Sequence, residues 1–472
     1  MSAGTPTLAE WLPAETRVAT AAMLGAISAT HLVFDRPGFG QRVIPHPGSV
    51  LASPVPAHYD PDPDYFFHWY RDAAIVIDAL RVALAAGYAD PVAVSRFREF
   101  VQFSLSLREL NGAEFLRRTD LRTRVQPDYL QYLRPEAEIA ALSGQAVLAD
   151  VRVNADGTLD FIRWGRPQSD GPALRALTVL RWWQQLPSAD ESLSGAMREL
   201  IRGDLAFALS YGAKPCHDIW EEESGDHYYT QLVRAEALRA GAAWLERSGE
   251  HTEAQPFQLA ADEALAHLEG FWNGSFYRSR SGVGAGDPAK QLDCAVLLGI
   301  VHAGRADGRH SVLDPRAQAT LAALEELFEG EYAINRNRAP GRGVALGRYA
   351  NDRYYSGGAF YFSTLAAAEF HFRLATALRG GAQLTATPEN LGFRRRLGLG
   401  EACVDNSSVA DLAQQHGDAI LRTVQAFTPE AGDLSEQFDR TTGVQTSAKR
   451  LTWSYAALIT AAASRAQACR AT

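Results

Sequence analysis

Apolar residues along this chain recur mainly at three- and four-residue steps, the spacing that gathers them on one face of a helix. In residues 70–88, YRDAAIVIDALRVALAAGY, the positions Ala73, Val76, Ile77, Leu80 and Leu84 form one such stripe. Gly87 stands where a helix C-terminal cap belongs. Thr7 precedes an earlier amphipathic stretch and Glu10 follows three residues later, the spacing of a capping box. Read in this way, the pattern predicts twelve helices, at about 8–27, 70–87, 92–109, 172–186, 192–209, 227–248, 252–270, 288–303, 314–329, 357–379, 407–427 and 451–469. Strand-like alternation is brief. The segment ADVRVNADGTLDFIRW at 149–164 predicts a hairpin around Asp156-Gly157.

Between the helices lie long segments rich in Gly, Pro, Asp and aromatic residues, at 35–69, 110–171, 210–226, 333–356 and 428–450. Loops of this length inside a compact protein usually carry function. No Pro- or Ser-rich linker divides the 472 residues, so residues 1–472 are expected to form a single domain. Six helix pairs in two concentric rings would bury twelve helices economically. The expected fold is therefore all-α, an (α/α)6 barrel (a six-hairpin toroid) whose long loops form a pocket. An α-solenoid fits the same helix count, but aromatic-rich loops suit a barrel, where they converge on one mouth.

Composition adds limits. Hydrophobic residues make up 46% and charged residues 21%, enough to bury a sizeable core. A net charge of −9 argues against a nucleic-acid partner, which would favour a basic face. No apolar run reaches the roughly 18 residues that span a bilayer, so no membrane partner is expected. The cysteines, Cys216, Cys294, Cys403 and Cys469, are scattered and form neither a disulfide framework nor a CxxC pair. The first residues lack a basic start followed by an apolar block, so they do not read as a signal peptide. The chain is expected to be cytoplasmic if Met1 is the native start, and periplasmic or secreted if a leader has been removed.

The chemistry concentrates in the long segments. Trp220-Glu221-Glu222-Glu223 sets three carboxylates beside an indole. Like charges and an apolar ring raise a carboxyl pKa, as a general acid requires. The same cluster also reads as a solvated acidic turn favouring the N-terminus of the next helix. Leu434-Ser435-Glu436-Gln437-Phe438 places a second carboxylate in a loop between Gly432 and Gly443, which suits a base and equally a surface glutamate. Glycoside hydrolysis needs one protonated and one ionised carboxyl across the scissile bond. Trp69-Tyr70-Arg71-Asp72, Trp164 to Pro172, and Gly347-Arg348-Tyr349 with Asp352 repeat one theme, aromatic residues beside Arg or Asp at a helix start. His68 and His217 border two of these loops and read as packing or hydrogen-bonding residues. No GxGxxG after a strand, GxxxxGK[ST], GxSxG elbow or HExxH is present.

Taken together, PDYFFHWYRD (63–72), WGRPQSDGPALRA (164–176), DIWEEESG (218–225), GRYANDRYYSGG (347–358) and LSEQFDRTTGVQTSAKRLTWSYAAL (434–458) resemble the fungal-type glucoamylases, family 15 of the glycoside hydrolases, in order and over nearly the whole chain. The openings TLAEWLPAETRVA and GSVLASP (48–54) are similar too. The resemblance implies an (α/α)6 barrel that releases β-D-glucose by inversion from non-reducing ends of α-1,4-glucans, with no cofactor and no metal, acting as a monomer on an α-glucan oligosaccharide.

Residue by residue, the resemblance implies that Glu221 is the general acid and Glu436 the general base. Glu222 would contact the sugar beyond the cleavage point. Arg71 and Asp72 would hold the terminal glucose hydroxyls, with Tyr65 under the reacting sugar. Arg348 is implied to bind glucose, Trp164 to pack near the acid with Trp220 beside it, and Gln437 to hydrogen-bond the sugar. Ser447 would support the base, and Trp453 would form an aromatic wall. The chain departs from the family at Gly358-Ala359-Phe360, where Asn-Pro-Trp is common, at Glu223, where an apolar residue is usual, and at Arg450, where an acidic one is usual. Residues 110–160 match poorly. These departures bear on the leaving-group side, so hydrolysis of isomaltose, dextran or trehalose is the alternative within the class. A non-catalytic glycan-binding barrel is the alternative outside it. The chain stops soon after the last predicted helix, so no starch-binding module is expected.

Overall fold

The computed structural model describes residues 6–187, 190–211, 214–282, 286–399 and 405–470. Cys403 lies outside the described residues, while Cys216, Cys294 and Cys469 form no disulfide among the described residues. Among the described residues twelve helices run from 10 to 22 residues. They are Leu8–Ala26, Tyr70–Ala85, Val92–Ser106, Asp170–Gln185, Glu191–Ser210, Tyr228–Arg247, His251–Leu268, Cys294–Ala303, Pro315–Glu331, Tyr361–Arg379, Asn406–Phe427 and Thr452–Arg470. Each coincides with one of the expected helices. The Thr7 and Glu10 capping box forms, with the Thr7 amide donating to Glu10 Oε2 at 2.9 Å. Gly87 takes the left-handed turn, φ +77°. The largest boundary error is at 288–303, where the helix starts only at Cys294, because the Asp293 carboxylate accepts the Ala295 amide and caps it there.

The expected single stripe on 70–88 is too narrow. Ala74, Ile75 and Ala79 are buried as well as Ala73, Val76, Ile77 and Leu80. A second surface is covered by Asp170–Gln185, whose Thr178 hydroxyl and Trp182 indole donate to the carbonyls of Ala74 and Ile77, both at 2.9 Å. Along the chain such largely buried helices alternate with half-buried amphipathic ones. Asp170–Gln185, Tyr228–Arg247 and Tyr361–Arg379 are mostly buried, whereas Glu191–Ser210 and Asn406–Phe427 keep one polar face. This is the pattern of helices packed in two layers, the inner hydrophobic nearly all round.

The chain forms two compact units. One comprises Met1–Ala22, Val82–Tyr88 and Ala266–Thr472, the other Met23–Arg81 and Ala89–Leu265. In the first, Tyr361–Arg379 packs on Asn406–Phe427 and Thr452–Arg470, and Cys294–Ala303 joins them. In the second, Asp170–Gln185 packs on Tyr228–Arg247 and Glu191–Ser210.

The sheets are small. Arg152–Asn154 does not form the main arm of a hairpin with 159–164. It pairs antiparallel with Phe67–Trp69, placing Trp69 opposite Arg152. The turn at Asp156-Gly157 is present, with a single bridge from Val153 to Leu159. Asp160 then leaves the ladder because its buried carboxylate is drawn to Arg152 and Arg166, at 2.8 and 2.6 Å. Segment 110–160 also contains short helices that the pattern missed, among them Gly112–Arg118 and Glu136–Ala140, too short to show a period.

One buried carboxyl carries a stability consequence. Glu15 is 5% exposed, and its Oε1 meets no hydrogen-bond donor among the described residues. Burial, with the Asp433 carboxylate adding to it, pushes the Glu15 carboxyl up to about 7. A carboxyl raised in the folded state binds its proton more tightly there than in the unfolded chain. Its contribution to stability is therefore present below the ordinary carboxylate range and lost as pH rises through about 7. The Glu15→Gln variant should match the parent Tm near about pH 5 and exceed it near about pH 8.5, by at most ~3 kcal/mol in unfolding free energy. Thermal unfolding at the two pH values checks this, and a gain equal at both would contradict it.

Candidate active site

In both units the singled-out residues gather at the N-terminal starts of largely buried helices. Arg71 and Asp72 occupy the first turn of Tyr70–Ala85, Asp170 opens Asp170–Gln185, and Glu221 lies in the loop before Tyr228–Arg247. Backbone amides at a helix start are short of acceptors, so polar side chains collect there.

Glu221 is the best-defined group of the second unit. Trp69 Nε1 donates to its Oε1 at 2.7 Å, Arg71 Nη2 reaches the same oxygen at 3.1 Å, and Trp164 Nε1 donates to Oε2. The Glu221 backbone is left-handed, φ +67°, which costs a non-glycine residue about 1–2 kcal/mol. Asp218 holds the loop in this shape. Its carboxylate accepts the amides of Trp220, Glu222 and Glu223 at 3.0, 3.0 and 3.2 Å, and its carbonyl accepts the Glu221 amide at 3.0 Å. Trp164 approaches closely because Gly165 follows it: a Cβ there would lie 2.4 Å from the Glu221 carbonyl oxygen.

Arg71 is buried and tied to Gln168 at 2.7 Å, Asp170 at 3.2 Å, Glu221 at 3.1 Å and Asp72 at 3.4 Å. Burial works against its charge, but Asp170, Asp72 and Glu221 together hold the guanidinium more firmly charged than usual. Burial pushes the Asp72 carboxyl up to about 6, against the opposing pull of Arg71. Tyr65 stands edge-on to Trp69, with ring centroids 5.1 Å apart. The structure thus brings Tyr65, Arg71, Asp72, Trp164 and Glu221 together, with Trp220 half-buried and Glu222 exposed on the same Asp218-centred loop. His68 is a packing residue. Its Nδ1 accepts the Val50 amide at 3.0 Å, and burial pulls the ring down to about 3, leaving it neutral.

In the first unit Glu436 precedes the strand Gln437–Phe438, which pairs with Ala359–Phe360 on one side and Gln445–Thr446 on the other. Its amide donates to Ala448 O at 2.8 Å, and its carbonyl accepts the Tyr361 amide at 3.2 Å. The Ser447 hydroxyl donates to Glu436 Oε2. Ser447 is left-handed as well, φ +65°.

Gln437 is fully buried, and its Oε1 accepts Ser356 Oγ and the Gly358 amide, both at 3.3 Å. Trp453 stacks on Phe362 at 4.1 Å. Arg348 makes a two-pronged pair with Asp352, at 2.7 and 2.6 Å, and lies over Tyr349 and Tyr354. The divergent Gly358-Ala359-Phe360 backs this strand. Ala359 and Phe360 are buried, and a side chain at 358 would strike the Phe438 carbonyl at 2.3 Å. Arg450 reaches Asp433 at 3.2 Å. Among the described residues no three of His, Cys, Asp and Glu are grouped as a metal ion would need, and no helix is long and apolar enough to cross a membrane.

Residues 40–463 match the family described as glycosyl hydrolases family 15. The chain belongs to this family. Glucoamylase-1 of Arthroderma benhamiae is 28% identical over 89% of this chain, which spans only 65% of that relative's length. Glucoamylase 1 of Rhizopus oryzae is 27% identical over 98% of this chain and 72% of its own. The Hormoconis resinae glucoamylase structure superposes with a TM-score of 0.79 at 26% identity, covering 97% of this chain and 74% of that one. The Hypocrea jecorina family 15 glucoamylase gives the same TM-score at 25% identity, over 98% of this chain and 72% of that one. This family 15 chain therefore has the all-α (α/α)6-barrel fold of those enzymes.

Four residues outside the expected set also shape the site: Trp69, Gln168, Asp170 and Asp218. All lie inside the motifs that carried the resemblance. Trp69 had a readable signal, since it stands two residues before Arg71 on the strand leading into the helix. The other three act through contacts across loops that sequence spacing does not show.

Proposed function

We propose that this chain is an inverting, exo-acting glycoside hydrolase that releases β-D-glucose from non-reducing ends of α-1,4-linked glucan chains. The observation that carries the reading is the Glu221 carboxyl, gripped by Trp69, Trp164 and Arg71 beside the buried Asp72 in a family 15 chain. A carboxyl fixed by three donors is aimed before substrate arrives, which is the preorganisation that proton transfer needs.

In this reading Glu221 delivers its proton to the glycosidic oxygen. The C1–O bond breaks with its electron pair going to that oxygen. Water attacks C1 from the opposite face and gives its proton to Glu436, whose orientation Ser447 fixes. The products are β-glucose and a chain one unit shorter. Inversion requires the two carboxyls to stand roughly 6.5–9.5 Å apart, with the water between. Asp72 supplies an acceptor for sugar hydroxyls, with Arg71 holding it and Glu221 in one frame. Arg348, Tyr65, Glu222, Trp220, Gln437 and Trp453 complete the substrate-binding set. One protonated and one ionised carboxyl also make the rate bell-shaped in pH. The substrate is an α-glucan oligosaccharide.

Reduced maltotriose tests the end-wise reading. Release of glucose and maltitol places the cut at the non-reducing end. Maltose plus sorbitol would place it at the other end and contradict the reading. Activity confined to isomaltose or trehalose would move the linkage to the alternatives within the class.

A further inference from the structure

Behind the two indoles that hold Glu221 lies a charge that the motifs do not explain. Arg152 is fully buried, in the stretch that departs most from the family pattern. Its Nε donates to Asp160 at 2.8 Å, while its two terminal nitrogens meet no acceptor among the described residues. The guanidinium stands over aromatic rings instead. Its carbon is 3.8 Å from the Trp164 ring, 4.6 Å from Trp69 and 4.0 Å from Phe67.

Leaving guanidinium hydrogens unpaired in a buried place is costly. Stacking on indole faces is the compensation the site provides, since a cation is drawn to the ring quadrupole. The cation is locked from its far side. Asp160 also accepts Arg166 at 2.6 Å and the Ile162 amide at 2.9 Å, while Arg166 pairs with Asp150, which in turn takes Arg134 at 2.9 Å. Although burial works against its charge, Arg152 and Arg166 hold the Asp160 carboxyl down at about 2.

We propose that Arg152 is a positioning residue for the general acid: it clamps Trp69 and Trp164 from behind so that both N–H groups meet Glu221. The proposal rests on the reading of Glu221 as that acid. A cation on an indole face draws electron density from the ring and sharpens its N–H as a donor.

Arg71, Asp72, Asp170 and Asp218 lie on the Glu221 side, and Arg36, paired with Asp64, stands over the Phe67 ring at 3.9 Å. Asp160, Arg166 and Tyr59 surround Arg152, and Glu222 and Glu223 share the Glu221 loop. Arg152 is placed on both indoles at once.

The test compares Arg152→Met and Arg152→Lys in the full chain. Methionine keeps the length and removes the charge, and Asp160 retains Arg166 and the Ile162 amide. In Arg152→Met kcat for maltotriose should fall about tenfold. Arg152→Lys should not restore kcat, because a compact ammonium keeps the charge but not the broad guanidinium that reaches both rings. The indole N–H resonances displaced by Glu221→Gln should also be displaced in Arg152→Met. An Arg152→Met protein that loses only thermal stability, with kcat and indole resonances unmoved, overturns the proposal. If Arg152→Met does not fold, Arg152→Lys decides: parental kcat with parental resonances overturns it. Should the parent chain cleave no α-glucan, the catalytic reading fails, and the indole resonances still show whether Arg152 holds the two rings on Glu221.

Discussion

Replacing Glu221 by Gln should lower the rate of glucose release from maltotriose about a thousandfold or more, while the variant remains folded. The leaving oxygen of a glycoside departs as an alcohol only if it is protonated, and an amide has no proton to give. The substituted amide keeps the length of the side chain, and Asp218 still holds the loop through backbone amides. The loss should depend on the leaving group. α-Glucosyl fluoride expels fluoride without protonation, so on this substrate the variant should lose only about tenfold. Steady-state rates on the two substrates separate the cases. Equal losses on both would mean that Glu221 does not act as the acid.

Replacing Glu436 by Gln should be at least as damaging, about a thousandfold or more, and on both substrates. Water must give up a proton as it attacks C1, whatever the leaving group, and the Glu436 carboxylate is the proposed acceptor. Ser447 fixes one of its oxygens, and strand pairing on both sides of Gln437–Phe438 fixes its backbone. A shortened Glu436→Ala side chain leaves room for azide, an anion that needs no base. With α-glucosyl fluoride, azide should restore turnover of this variant and yield β-glucosyl azide, displacing fluoride from the opposite face. A variant that keeps parental activity, or an α-azide product, would contradict the role.

The helices were legible because most of this chain's apolar residues follow a helical period, and because caps such as Thr7 with Glu10 mark the ends. The period was least informative where a helix is buried on more than one side. Tyr70–Ala85 reads as one stripe, yet Thr178 and Trp182 cover a second surface. The hairpin at 149–164 forms only next to its turn, for a related reason. Alternation shows that a strand forms but not its partner, and the pull of Arg152 and Arg166 on Asp160 chose Phe67–Trp69 instead.

In the candidate site, the motifs marked loops whose Glu221, Arg71, Asp72 and Trp164 the structure brings together. What they could not show is how the loops are held. Asp218 works through three backbone amides, and Arg152 works through ring faces, neither of which leaves a spacing in the sequence. Carboxyl pKa values are raised at Asp72, where burial is the largest cause, and at Glu15, where burial acts with Asp433.

The most direct test of the central claim is proton NMR of maltotriose in the first minutes after mixing with the chain, before the anomers of glucose interconvert. The account predicts that β-glucose and maltose appear first, with α-glucose following only by mutarotation. Early α-glucose would mean retention of configuration, and would contradict an inverting Glu221 and Glu436 pair.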